Sequence, residues 1–225
     1  MHDLIRLQGI CKTYRTKEEK LYVLDNIDIR IKDGEFISIT GQSGSGKSTL
    51  MNILGCLDRA DSGRYYFDGI SVEKMNDRKM CHMRNKSIGF VFQSFNLIPS
   101  MNSLENVMLP LMYRGVSREK REQLAKEALC KVGLENRMSH YPVEMSGGQQ
   151  QRTAIARAIA MSPKVLLADE PTGSLDKSSG EEVLSIMKEM NNKGVTVVMI
   201  THDEKIAAAA GRQIRISDGK IVDYC

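Results

Sequence analysis

Residues 41–48 read Gly41-Gln42-Ser43-Gly44-Ser45-Gly46-Lys47-Ser48, between segments of different periodicity. Before them Phe36-Ile37-Ser38-Ile39-Thr40 is a short β-branched run; after them Lys47 to Leu57 spaces its apolar residues as a helix does. A strand that passes through a glycine-rich turn directly into a helix leaves few folds open. Gly41, Gly44 and Gly46 let the backbone curl until successive N–H groups face one anion, with Ser43 and Ser45 between them. The helix N-terminus adds a favourable dipole. This is a phosphate-binding P-loop in the context it requires, and it points to a nucleotide's phosphates with Mg²⁺. Lys47 is placed to reach the β- and γ-phosphates, Ser48 to ligate Mg²⁺ and Thr49 to donate to the α-phosphate. The pattern arises by chance in roughly one chain in a hundred of this length, and the flanking strand and helix make chance less credible still.

Three further apolar runs read as buried parallel strands: residues 88–92, 165–169 and 195–200. Helical patterns between them imply an α/β chain with right-handed crossovers. One such helix opens near Ser178, where Ser178 and Glu181 suit a capping box. Residues 4–31 and 63–72 alternate apolar and polar, which predicts an N-terminal antiparallel β region, and residues 213–222 predict a hairpin around Asp218-Gly219. Residues 103–137 are helical and charged, punctuated by Gly115 and Gly133, and read as an inserted lobe.

Two more patterns carry chemistry. Val165-Leu166-Leu167-Ala168-Asp169-Glu170 is an apolar strand ending in two carboxylates. Asp169 suits Mg²⁺ support. The chain leaves the strand at Pro171, so Glu170 can turn toward the phosphates as a general base. Ser146-Gly147-Gly148-Gln149 precedes an amphipathic helix and offers a second anion cradle. The plainer alternative is an N-cap at Ser146. One chain has little use for two cradles on one phosphate, so the second is expected to serve a nucleotide held by another copy.

Together, Gly41–Thr49, Ser146–Gln149, Leu166–Thr172 and Thr201-His202-Asp203 resemble the nucleotide-binding subunit of an ABC transporter over almost the whole chain. The resemblance implies the ABC ATPase fold: a RecA-like P-loop NTPase core, an N-terminal antiparallel β subdomain and an inserted α-helical subdomain at about residues 94–160, in one domain over 1–225. It implies further roles. Tyr14 would stack on adenine, Gln93 would sense Mg²⁺ and water, Ser174-Leu175-Asp176 would cross a dimer interface, and His202 would sit by the γ-phosphate. The catalytic set is then Glu170, His202, Gln93 and Lys47, and the metal set Ser48, Gln93 and Asp169. Residues 93–99, 104–111 and 168–173 most resemble the MacB/LolD type, with Met145 and Ser174 as mild departures. That type implies an ATPase that dimerises on ATP and powers a separate membrane permease for peptides, lipoproteins or drugs. Leu97, Ile98, Met101 and Leu104 are candidates for its docking groove. A cell-envelope ATPase of the FtsE type, without transport, is the alternative.

Composition excludes other classes. A net charge of +4 and 5% aromatics with no Trp argue against a nucleic-acid partner. The basic stretch Arg78, Lys79, Arg84, Lys86 reads as a solvated face. The longest uncharged run, Ser87 to Leu104, holds Gln93, Asn96, Pro99 and Asn102 and cannot span a bilayer as a helix. Five Cys without a metal-like pair suggest reduced thiols, and no leader is expected at Met1. The expected place is the cytoplasm, peripheral at the inner face of the cell membrane through the permease, with no regulatory domain after the hairpin.

Overall fold

A computed structural model describes residues 2–15 and 20–224. Met1 and Cys225, on which the leader and thiol expectations partly rested, lie outside the described residues. Two sheets form from strands of different character. The alternating segments give β1 (Asp3–Arg15) and β2 (Lys20–Lys32), paired antiparallel, with β1 also paired antiparallel to β4 (Ser62–Phe67). With β5 (Ile70–Ser71) they make a sheet of order β2-β1-β4-β5. The continuous apolar runs become β3 (Phe36–Thr40), β6 (Ile88–Phe92), β7 (Val165–Asp169) and β8 (Thr196–Ile200). They are parallel in a six-stranded sheet of order β10-β9-β3-β8-β7-β6. The hairpin expected at 213–222 is β9 (Arg212–Ser217) and β10 (Lys220–Tyr224), and β9 also joins β3 in parallel.

Both faces of the main sheet are covered, which is why its strands lack polar alternation. Val165 and Leu167 point with Ile37, Ile39, Val198 and Ile200 into one core, shared with α1 (Lys47–Leu54), α2 (Asp77–Ser87) and the antiparallel sheet. Leu166 and Ala168 point the other way, into a core with α3 (Ser103–Tyr113), α4 (Arg118–Lys131), α5 (Gly147–Ile159) and α6 (Lys177–Asn192). A short α7 (Glu204–Ala207) follows β8. By the same parity Asp169 ends β7 on the α1 side.

Two boundaries differ from expectation. The helix after the P-loop stops at Leu54 and the chain turns at Cys56, where φ is +55°. Helix α6 is capped by Asp176, which accepts from the Ser179 N–H at 3.0 Å, and not by Ser178. Asp176 has the extended backbone a cap requires and an ionised acceptor, so the turn closes two residues earlier. Ser146 does cap α5: its hydroxyl accepts from the Gln149 N–H at 3.3 Å and the Gln149 side chain returns a bond to its N–H at 3.1 Å. Among the described residues no helix is long and apolar enough to cross a membrane.

Candidate functional site

The carboxyl ends of β3 and β7 meet over the N-terminus of α1 in a cleft of about 600 Å³. Gly41 to Thr49, apart from Ser45, line it together with Asp169, Glu170 and His202. Local sterics dictate the turn. At Gly46 φ is +102°, and a Cβ there would lie 2.5 Å from the Val23 carbonyl oxygen. At Gly41 a Cβ would come within 2.2 Å of the Ile216 carbonyl, so β2 and β9 press directly on the loop. Ser45 is buried beneath it, and its hydroxyl has no hydrogen-bond partner among the described residues.

Lys47 is buried, and its ammonium donates to the carbonyls of Gly41 (2.8 Å) and Gln42 (2.7 Å). A buried cation held by two carbonyls retains donor capacity for an anion entering the cleft. Asp169 lines the same cleft as Ser48. Burial and the neighbouring Glu170 charge push its carboxyl above the usual Asp value, outweighing Lys47 and Ser48, which pull it down. Such a carboxyl gains from a cation beside it. The donors on offer, a hydroxyl and a carboxylate at the edge of a phosphate cradle, are hard oxygen ligands. They fit Mg²⁺, which takes one or two carboxylates and completes its shell from phosphates and water.

Glu170 leaves β7 with φ of +46°, a left-handed conformation rare outside glycine, fixed by its N–H donating to the Ile200 carbonyl at 2.9 Å. The turn swings the carboxylate off the strand, where its Oε1 lies 2.7 Å from His202 Nδ1. The Glu170 side chain is 16% exposed and that of His202 72%, so the pair bridges the cleft wall and solvent.

The remaining residues fall outside this cleft. Gln93 is exposed at the end of β6 and does not line it, though its amide lies 3.0 Å from where a Cβ on Gly173 would sit, in the turn after Glu170. Tyr14 is 41% exposed and its hydroxyl donates to Asp58 Oδ2 at 3.0 Å. Ser146, Gly147, Gly148 and Gln149 begin α5, and none of them lines the cleft. Of the docking candidates, Leu104 packs against the helical core, while Leu97, Ile98 and Met101 are half-buried and belong to neither core. Three cleft residues escaped the sequence reading as contacts: Gln42, Val23 and Ile200. Gln42 occupies a variable position of the loop pattern. Val23 had only its alternation on β2 to mark it, which assigns a face and not a ligand.

Comparison with known proteins gives a consistent picture. The ABC transporter family model matches residues 24–173. The chain is 48% identical over 219 residues to the uncharacterized ABC transporter ATP-binding protein YvrO of Bacillus subtilis, covering 97% of this chain and 96% of the relative. It is 48% identical over 222 residues to the macrolide export ATP-binding/permease protein MacB of Escherichia coli, covering 99% of this chain and 34% of MacB. This chain thus matches about a third of MacB's length. Among solved structures, the dimeric MJ0796 ABC transporter cassette, from Methanocaldococcus jannaschii, aligns with TM-score 0.91 at 46% identity over 98% of this chain and 97% of that one. A dimeric post-hydrolysis state of the same cassette, bound to ADP and Pi, aligns with TM-score 0.91 at 45% identity.

Proposed function

We infer the division of labour among these residues from one premise: the chain belongs to the ABC transporter family, as an ATP-binding, ATP-hydrolysing subunit of a dimeric cassette. The observation that carries the reading is the convergence of Lys47, Ser48, Asp169 and Glu170 on one cleft at the carboxyl ends of β3 and β7, where open α/β sheets bind ligands. Gly41, Ser43, Gly44, Ser45, Gly46 and Thr49 cradle the ATP phosphates, and Lys47 turns its spare donor capacity to the β- and γ-oxygens. Ser48 and Asp169, with Gln93, would hold Mg²⁺, which when bound would neutralise developing phosphate charge. Glu170 accepts the proton of the attacking water. His202, 2.7 Å from it, fixes the direction of that carboxylate and reaches toward the γ-phosphate. Tyr14 stacks on adenine. Ser146, Gly147, Gly148 and Gln149 close over the nucleotide of a second copy, which makes the interface two-fold.

The subunit powers a separate membrane permease of the MacB/LolD type, exporting or extracting peptides, lipoproteins or drugs, and works in the cytoplasm at the inner face of the membrane. Support comes from the identity to MacB and from the unabsorbed apolar residues Leu97, Ile98 and Met101 beside Gln93. Glu170→Gln is the test. It keeps the side-chain shape and removes the base, so turnover falls about 10²–10⁴-fold while ATP binding persists. ATP with Mg²⁺ then traps a dimer, read by light scattering. Wild-type turnover in this variant removes Glu170 from the mechanism.

A further inference from the structure

Lys12 sits on an alternating strand, where a lysine ordinarily faces water, yet its side chain is only 11% exposed. The hydrogen bonds and ion pairs of its ammonium reach the segment that follows α1. It donates to Asp58 Oδ1 at 2.9 Å and to the Arg59 carbonyl at 2.7 Å, and Asp61 Oδ1 lies 3.8 Å away. It also lies 5.3 Å from the centroid of the Tyr14 ring. The other carboxylate oxygen of Asp58 takes the Tyr14 hydroxyl at 3.0 Å. Asp61 receives the Thr13 N–H at 2.7 Å. Burial alone would raise the Asp58 carboxyl, but the bonds from Lys12, the Arg59 N–H and Tyr14 hold it below the ordinary Asp value. Asp58 is therefore the charged acceptor the cluster needs.

We propose that Lys12 and Asp58 are positioning residues that fix the Tyr14 ring as the adenine platform, at a set distance from the phosphate cradle, through helix α1. Two features of the geometry lead there. The cation occupies the Lys12 side of the ring, so a base stacks on the opposite face, and cation, ring and adenine form one column. Asp58 follows the C-terminal end of α1, whose first two residues are Lys47 and Ser48 of the cradle. The ring is thus tied at its hydroxyl and over its face to the far end of the helix that grips the phosphates. One rigid element sets the spacing between base and triphosphate, and affinity is gained because the platform is ordered before ATP arrives. The inference rests on the assignment of Tyr14 to adenine.

The experiment is a double-mutant cycle on the full chain, reading ATPase KM and kcat, with competition by inorganic tripolyphosphate, which has phosphates and no base. Tyr14→Ala raises KM for ATP about tenfold, the scale of one base–aromatic stack. Lys12→Met raises it about threefold to tenfold with kcat unchanged, because the lost interaction serves ground state and transition state alike. In the Tyr14→Ala background Lys12→Met adds less than about twofold, because its effect passes through the ring. Tripolyphosphate competes equally well with wild type and Lys12→Met. The chain has no Trp, so Tyr14→Trp supplies a unique reporter whose emission ATP quenches, at a midpoint that Lys12→Met shifts by the same factor. Asp58→Asn keeps the shape, weakens the hold on Lys12 and shifts KM the same way, which covers the case in which Lys12→Met fails to fold by circular dichroism. If Tyr14→Ala leaves KM unchanged, the adenine assignment itself falls. If Tyr14→Ala acts but Lys12→Met and Asp58→Asn do not, only the positioning role falls. Equal loss of tripolyphosphate and ATP, or additive effects in the cycle, makes the cluster a plain tie between β1 and α1 and overturns the proposal.

Discussion

The two glycines of the Ser146-Gly147-Gly148 turn are there for different physical reasons, and alanine separates them. At Gly148 a Cβ would lie 2.6 Å from Ser179 Oγ and 2.8 Å from Ser179 Cβ. The hydroxyl can rotate away, but the Cβ cannot, so Gly148→Ala forces α5 and α6 apart. Overpacking of this kind costs ~1–3 kcal/mol, and the better helix propensity of Ala returns up to ~1 kcal/mol. A net loss near ~1.5 kcal/mol lowers the melting temperature by about 3–6 °C in a chain of this size. At Gly147 the nearest atoms to a Cβ are Leu175 Cδ2 at 3.4 Å and Phe95 Cζ at 3.6 Å, which is ordinary contact. Gly147→Ala therefore keeps or slightly raises the melting temperature. If the Gly147 N–H faces the nucleotide of a second copy, the added methyl crowds that nucleotide, and turnover and ATP-driven dimerisation fall without loss of fold.

Thermal melts and ATPase rates on the two variants decide both points. The clash has its own control. Ser179→Gly removes both offending atoms, at the cost of the 2.7 Å bond from Ser179 Oγ to Asp176 and of a glycine in the first turn of α6. If steric pressure is the cause, Gly148→Ala costs nothing further in the Ser179→Gly background. Additive losses would refute the packing argument, and wild-type turnover in Gly147→Ala would refute the cradle.

Two further outcomes follow from charge and burial. Burial raises the Cys56 thiol from 9.0 to about 11, which leaves about one thiolate in 10³ at pH 8. Iodoacetamide at that pH should label the exposed Cys81 and Cys130 and reach Cys56 only after denaturation, as peptide mass spectrometry would show; equal labelling of Cys56 in the folded protein contradicts its placement. The Asp58 carboxyl is held below its ordinary value of 3.8, so its stabilisation is present above that pH and is lost as pH falls through the lowered value. Asp58→Asn should therefore be less stable than wild type at pH 7 by urea melts, with the gap closing as pH drops below 4; a gap that widens on acidification reverses the sign and the reasoning.

Local patterns made most of this fold and its cleft legible. The runs at 36–40, 88–92, 165–169 and 195–200 read as strands because helices cover both faces of their sheet, the last strand beginning one residue later, at Thr196. The P-loop was visible because its glycines answer a steric demand made within the loop's own neighbourhood. What the sequence hid depends on groups far along the chain. Lys12 on an alternating strand reads as a solvent-facing cation, and Asp58, 46 residues on, makes its burial favourable together with the Arg59 carbonyl and Asp61. Strand β9 joins β3 in parallel, one strand in from the edge strand β10, a pairing that a hairpin pattern cannot declare. The sequence pattern offered Ser178 as the cap of α6, and the backbone turn selected Asp176. The left-handed Glu170 is set by a hydrogen bond to Ile200.

On the proposed reading of the α5 N-terminus as a second cradle, the separation of the two cradles within one chain gives the dimer a mechanical meaning. The cleft on α1 and the cap on α5 do not meet, yet one set of contacts runs between them. Ser174, in the loop after Glu170, donates to the Gln93 carbonyl at 3.0 Å. Its neighbour Leu175 and Phe95 both border Gly147. Arg157 on α5 donates to the carbonyls of Phe95 and Asn96, just past Gln93. Gln93, the loop after Glu170 and the N-terminus of α5 are thus packed on one another. In the proposed two-fold arrangement, pressure on Gly147 from the nucleotide of a second copy would bear on the same side chains that flank Gln93 and Glu170. Occupancy of one cleft can then bias the catalytic groups of the other through packed atoms. The half-buried Leu97, Ile98 and Met101, in the segment that starts at Gln93, would move with them.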